Sequence, residues 1–191
     1  AFLYRVELDA KPNTTEKHPL SAYELATRLS YFFWSSAPDT ALLSAAADQS
    51  ILQDFAITAT VDRLLADPTR GPRFVHNFYG QWLGAQRVEN HAVAPDVYKA
   101  WSPQLASALA QEMYAYFTDF LKNDRSWLTF LTEDTNFVTP ELAQLYGMPA
   151  PAGAGMQQVH VTSDQRRGFL GLGGFLAQAS LDRRTSPTLR G

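Results

Sequence analysis

One stretch constrains the fold more than any other: "SPQLASALAQEMYAYFTDFLKN", from Ser102 to Asn123. Leu105, Leu109, Met113, Tyr116, Phe117 and Phe120 recur at helical spacing and form one apolar stripe over about five turns. Ser102 is a helix cap, and Pro103 takes the first helical position, where a missing N–H costs nothing. Asn123-Asp124 ends the run. A stripe this bulky has to be buried against other elements, so the rest of the chain must supply them.

The same punctuation recurs elsewhere. In "LSAYEL", Ser21 and Glu24 have capping-box spacing, with Leu20 and Leu25 at the hydrophobic-staple positions. Ala22, Ala26, Leu29 and Phe33 continue this helix as a stripe. "SSAPD" ends it and opens a second helix, with Ser36 as cap and Asp39 near the N-terminus. "ILQDFAITATVDRLLAD" reads as a third. Asp67-Pro68 starts a fourth, whose Phe74, Phe78 and Trp82 form an aromatic face, with Val75 and Leu83 one turn offset and Gly84 as terminator. "SWLTFLTED" is a short helix or turn, and Thr139-Pro140 caps "ELAQLYGM". After the small-residue loop "PAPAGAG", "MQQVHVT" alternates imperfectly, and "DQRRGFLGLGGFLAQAS" is the final long helix. The expected fold is all-α, an irregular bundle of about seven or eight helices with at most one short hairpin or edge strand near 156–162. No strand–helix alternation and no repeat is present.

The composition, 46% hydrophobic and 13% aromatic, predicts a real core. There is no cysteine, which excludes disulfides, thiolate metal sites and covalent haem attachment within these residues. The net charge of −3 gives no case for nucleic acid. Its distribution is uneven: from Asp164 onward the chain carries +3, and the remainder −6. That basic segment reads either as a solvated face with local salt bridges or as a docking surface for an acidic partner. No run approaches the ~20 apolar residues of a membrane span. The start, "AFLYRVELD", is apolar and structured in character, so processing or truncation upstream is expected.

No residues are assigned to catalysis, cofactor binding or metal binding. His18, His76, His91 and His160 form no metal-ligand pair. His76 reads as a buried or half-buried hydrogen-bonding residue. Gln81 is expected to bond a neighbouring carbonyl and Trp82 to fill the core. Gly168, Gly171 and Gly174 recur every three residues and predict close approach of another helix rather than a phosphate loop. There is no GxSxG elbow, and the carboxylates, Glu133 and Asp134 among them, stand in no special context. Arg184, Thr185, Ser186 and Arg190 are the densest polar cluster. Ser186-Pro187 is a helix start, so the cluster either caps and bridges locally or contacts an anion.

"LSAYELATRLSYFFWSSAPD", "NFYGQWL", "RRGFLGLGGFLA" and "RRTSPTLRG" together resemble the planctomycete-type, cytochrome-c-linked families of unknown function, the PSD/PSCyt group. The likeness runs over nearly the whole chain, with departures at Gly168-Phe169, where Gly-Gly is usual, and at Leu189. It implies a helical domain over 1–150. It further implies that 151–191 is a linker and the start of a following cytochrome-linked module, here truncated. A CxxCH haem c motif would come later. The chain would be exported, periplasmic or at the cell surface.

The functional expectation is a scaffold or docking domain supporting electron transfer. Its partner would be the downstream cytochrome c module or a redox protein, with no nucleic acid and no membrane span. Arg166, Arg167, Arg184, Thr185, Ser186 and Arg190 are the expected docking or anion contacts, and Ser21, Glu24, His76, Gln81 and Trp82 the structural motif. The alternatives are a domain of an oxidoreductase or hydrolase acting on an extracellular polymer, and a structural cell-surface interaction module.

Overall fold

The capping box forms as expected at the first helix, α1 (Ala22–Trp34). Ser21 Oγ accepts the Glu24 N–H at 3.3 Å, and Glu24 Oε2 accepts the Ser21 N–H at 2.8 Å. The structure, a computed structural model, describes residue 15 and residues 17–190. The expected structured start "AFLYRVELD" lies outside the described residues, as does the side chain of Arg190. Two compact units divide between Phe74 and Val75, within the stretch read from the sequence as one helical domain.

In the first unit, α1 buries Ala22, Ala26, Phe33 and Trp34. Helix α2 (Thr40–Ala47) is capped by Asp39, not by Ser36. Asp39 Oδ1 accepts the Leu42 N–H at 2.9 Å, while the Ser36 carbonyl accepts the Ser30 hydroxyl. Pro38 sits between them, so the cap falls one residue after the proline and the helix starts at Thr40. Helix α3 (Asp54–Ala66) follows a short 3-10 turn. Asp67-Pro68 does not start a helix. The Asp67 carboxylate accepts the N–H groups of Thr69 and Arg70 and closes a turn, and helix α4 (Pro72–Phe74) begins later. The side chain satisfies the turn amides first, which competes with helix initiation.

Asp39 combines a cap with an ion pair to Arg63 at 2.8 Å. Its pKa is lowered, first by the hydrogen bond from Arg63. Asp39→Ala is expected to destabilise the first unit by about 1 kcal/mol, the usual value of a lost cap. The loss should be present above the ordinary Asp pKa and vanish as pH falls below the depressed one, because the wild type then loses the same contact. Urea unfolding at pH 7 and pH 3 checks this; an equal loss at both would contradict it.

The second unit opens on a π turn, Val75–Tyr79, followed by α5 (Gly80–Trp82) and α6 (Ala85–Val88). A π turn takes up an additional residue, and the buried stripe shifts accordingly. Val75 and Tyr79 are buried, whereas Phe78 is exposed and Trp82 is 64% exposed. The expectation that Trp82 fills the core is therefore wrong. His76 is also exposed rather than buried, stacked on Tyr114 with ring centroids 5.0 Å apart.

The long stripe forms as read: α7 (Pro103–Lys122), capped by Ser102, buries Leu109, Met113, Tyr116, Phe117 and Phe120. Beyond it the all-α expectation fails. Strand β1 (Thr135–Val138), helix α8 (Pro140–Leu145) and strand β2 (Gln157–His160) place a two-stranded antiparallel sheet against α7. Asn136 pairs with Val159 and Phe137 with Gln158. Of the described residues 55% are helical and 6% are strand, so the fold is mostly helical with a small sheet rather than all-α. "TNFV" has three β-branched or aromatic residues in four, but four residues directly before a helix cap give too short a signal to read.

The final long helix also breaks up. Asp164–Arg166 and Phe169–Gly171 are 3-10 turns, and only α9 (Gly173–Gln178) is α-helical. Gly168 has φ +63°, and a Cβ there would run into the Leu131 carbonyl, so it is a break rather than a helix-face residue. Close approach is real but lies at Gly173 and Gly174, where added methyls would meet Leu109 and Met113 of α7. Helix α10 (Pro187–Arg190) begins where Ser186-Pro187 predicted a start.

Candidate functional site

The polar chemistry of the second unit gathers around one side chain that the sequence reading passed over. Glu112 lies on the buried stripe of α7 and has no solvent exposure. Its Oε1 accepts from Asn136 Nδ2 at 2.7 Å, and its Oε2 accepts from the Tyr146 hydroxyl at 2.7 Å. The Tyr146 oxygen in turn accepts the Gly173 N–H at 3.1 Å. Strand β1, the end of α8 and the start of α9 thus converge on one carboxyl group. The convergence accounts for the close glycine approach, since a side chain at Gly173 would displace the Tyr146 hydroxyl.

Burial pushes the Glu112 pKa up to about 7, against the hydrogen bonds from Asn136 and Tyr146, which pull it down. Tyr146 is pushed upward too, first by burial and then by the Glu112 charge. The guanidinium of Arg166 lies 4.4 Å from the Tyr146 ring centroid and offsets part of both effects.

Tyr146 and Arg166 also border a cavity of about 520 Å³. Trp101, Leu105, Leu109, Leu145 and Leu176 supply apolar wall, with His91 and Lys99 among the polar groups. Glu112 does not reach the cavity and is linked to it through Tyr146.

A second feature lies on the surface. The Trp127–Thr129 turn and the Phe169–Gly171 turn run side by side, joined by the Phe169 N–H to the Phe130 carbonyl at 3.0 Å. The rings of Phe130 and Phe169 stack at 5.3 Å beneath them. Above, Trp127, Leu128, Leu131 and Leu170 are exposed, Leu128 by 92%.

The expected contact residues are not gathered at one point. Arg166 is half-buried on Tyr146, and Arg167 pairs with Asp164 at 3.4 Å. Arg184 and Thr185 are exposed, and Thr185 bridges to Ser180 and borders the cavity. Ser186 is buried and its hydroxyl meets that of Thr188 at 3.2 Å. Arg183, outside the expected set, pairs with Asp96 at 2.8 Å. Ser21 and Glu24 form their cap in the first unit, and Gln81 and Trp82 are exposed. His160 faces Asp134 at 3.5 Å. Among the described residues no cluster of three or more His, Cys, Asp or Glu is placed to hold a metal, and no helix is long and apolar enough to cross a membrane.

Sequence could have flagged Glu112 by position alone. It sits between Leu109 and Met113 on the buried stripe, where a carboxylate needs partners. Those partners come from 24 and 34 residues away, and no local pattern carries them. The family described as PSD4, Protein of unknown function (DUF1592), matches residues 20–148. No curated protein matches the chain, and no solved structure matches it.

Proposed function

This chain belongs to the DUF1592 (PSD4) family of proteins of unknown function, and we propose that it is a docking and scaffold domain of a larger exported, cytochrome-c-linked protein. The observation that carries this reading is the exposed apolar group Trp127, Leu128, Leu131 and Leu170. Side chains of this size clustered on a surface, over a rigid aromatic floor, are characteristic of an interaction face. Phe117, Phe120 and Phe130 pack on the Trp127 ring and Phe169 stacks on Phe130, so Trp127 would meet a partner without reorganising. The partner that suits the family resemblance is a haem c module of the same protein, with the domain holding it in place for electron transfer.

Hydrogen exchange tests the docking face. Amides of residues 126–132 should exchange more slowly in the full-length protein than in this 191-residue chain. Leu128→Asp with Leu131→Asp should remove that difference. Equal rates in both proteins would refute docking at this face. A full-length protein without the visible absorption of haem c would refute the cytochrome link while leaving the docking result readable.

A further inference from the structure

The cavity beside Tyr146 is independent of the docking face. Its volume of about 520 Å³ falls within the size of small-molecule sites. Trp101, Leu105 and Leu176 give it walls suited to an apolar body. Its charged lining is one-sided: Lys99 and Arg166 border it, and among the described residues no Asp or Glu does. Among the described residues neither cation has a carboxylate partner in an ion pair. Arg166 reaches only the Gly171 carbonyl, at 3.5 Å, and the face of Tyr146. Arg166 feels the buried Glu112 charge at a distance, but with no carboxylate in ion-pair contact its guanidinium edge beside the apolar cavity is available for a planar carboxylate, which it can bind in a two-bond fork. His91 also borders the cavity, and its buried Nε2 has no hydrogen-bond partner among the described residues.

We infer that this cavity binds a small organic acid, with its apolar body against Trp101 and Leu105 and its carboxylate held by Arg166 and Lys99. Charge complementarity selects this class over the alternatives. An amine would meet two like charges, and an uncharged ligand of the same shape would leave both cations unused.

Calorimetric titration of the 191-residue chain with octanoate, 1-octanol and octylamine decides it. Octanoate should bind at least about tenfold more tightly than either other ligand, the scale of one charge-assisted contact. Arg166→Gln and Lys99→Gln should each weaken octanoate and leave 1-octanol unchanged; Lys99 is exposed, so its replacement leaves the fold intact. Leu105→Trp, which fills the cavity, should abolish binding of octanoate and 1-octanol alike. Octylamine binding as well as octanoate would overturn the assignment. So would octanoate binding that survives Leu105→Trp unchanged, or the absence of octanoate binding at millimolar concentration.

Discussion

Glu112→Gln is expected to make the second unit more stable at pH 8 and to remove most of the pH dependence of its unfolding between pH 4.5 and 7. The carboxyl is raised from 4.5 to about 7 by burial. The native state therefore holds a proton that the unfolded state releases over that interval. Stability is highest below pH 4.5, falls as pH rises towards 7, and stays at its lower value above it. A rise of this size corresponds to about 3 kcal/mol. Glutamine keeps the shape and stays neutral. Its oxygen can accept from Asn136, and its amide can donate to the Tyr146 oxygen, so the convergence of β1, α8 and α9 survives. Urea unfolding from pH 4 to pH 8 should show a falling midpoint for the wild type and a nearly flat one for the variant, the two meeting at low pH. Parallel curves would show that Glu112 is ionised in both states. Glu112→Leu should be worse than Gln at every pH, because it leaves Asn136 without its acceptor and Tyr146 without any polar partner on α7.

Trp34→Ala should destabilise the first unit by about 4 kcal/mol, the range of a buried large-to-small change with an added lost hydrogen bond. Trp34 is wholly buried, and its Nε1–H donates to the Leu64 carbonyl at 2.8 Å. The Arg70 guanidinium lies 3.4 Å from its ring centroid, held there by Asp67, which it bonds through Nε and Nη2. Truncation opens a cavity, orphans the carbonyl and removes the face on which the cation rests. Trp34→Phe keeps a ring and loses the N–H, so about 1 to 2 kcal/mol is expected. Unfolding followed by exchange of the α1 and α3 amides separates the two. Losses of equal size would assign the effect to the hydrogen bond rather than to packing.

Where the chain supplied local patterns, they were legible. The Ser21–Glu24 box, the Ser102-Pro103 and Thr139-Pro140 starts, and the stripe from Leu105 to Phe120 all appear where periodicity and capping chemistry put them. Each depends on residues within one or two turns of one another. Misreadings arose where a distant contact decided the outcome. Trp82 faces outward because a π turn re-phases its helix. The glycine-rich segment reads as one helix by spacing, yet Gly168 turns the chain beside Leu131 and ends that reading. The strand pair needed a partner from beyond helix α8 and the loop that follows it.

What the sequence determined by itself is therefore the helical frame and where its main helices begin, because caps and apolar periods act over a few residues. Only the tertiary structure decided the sheet, the placement of Glu112 among Asn136 and Tyr146, and the cavity bordered by Lys99 and Arg166. Those features depend on burial and on contacts between residues far apart in the chain, and both exist only once the elements have packed.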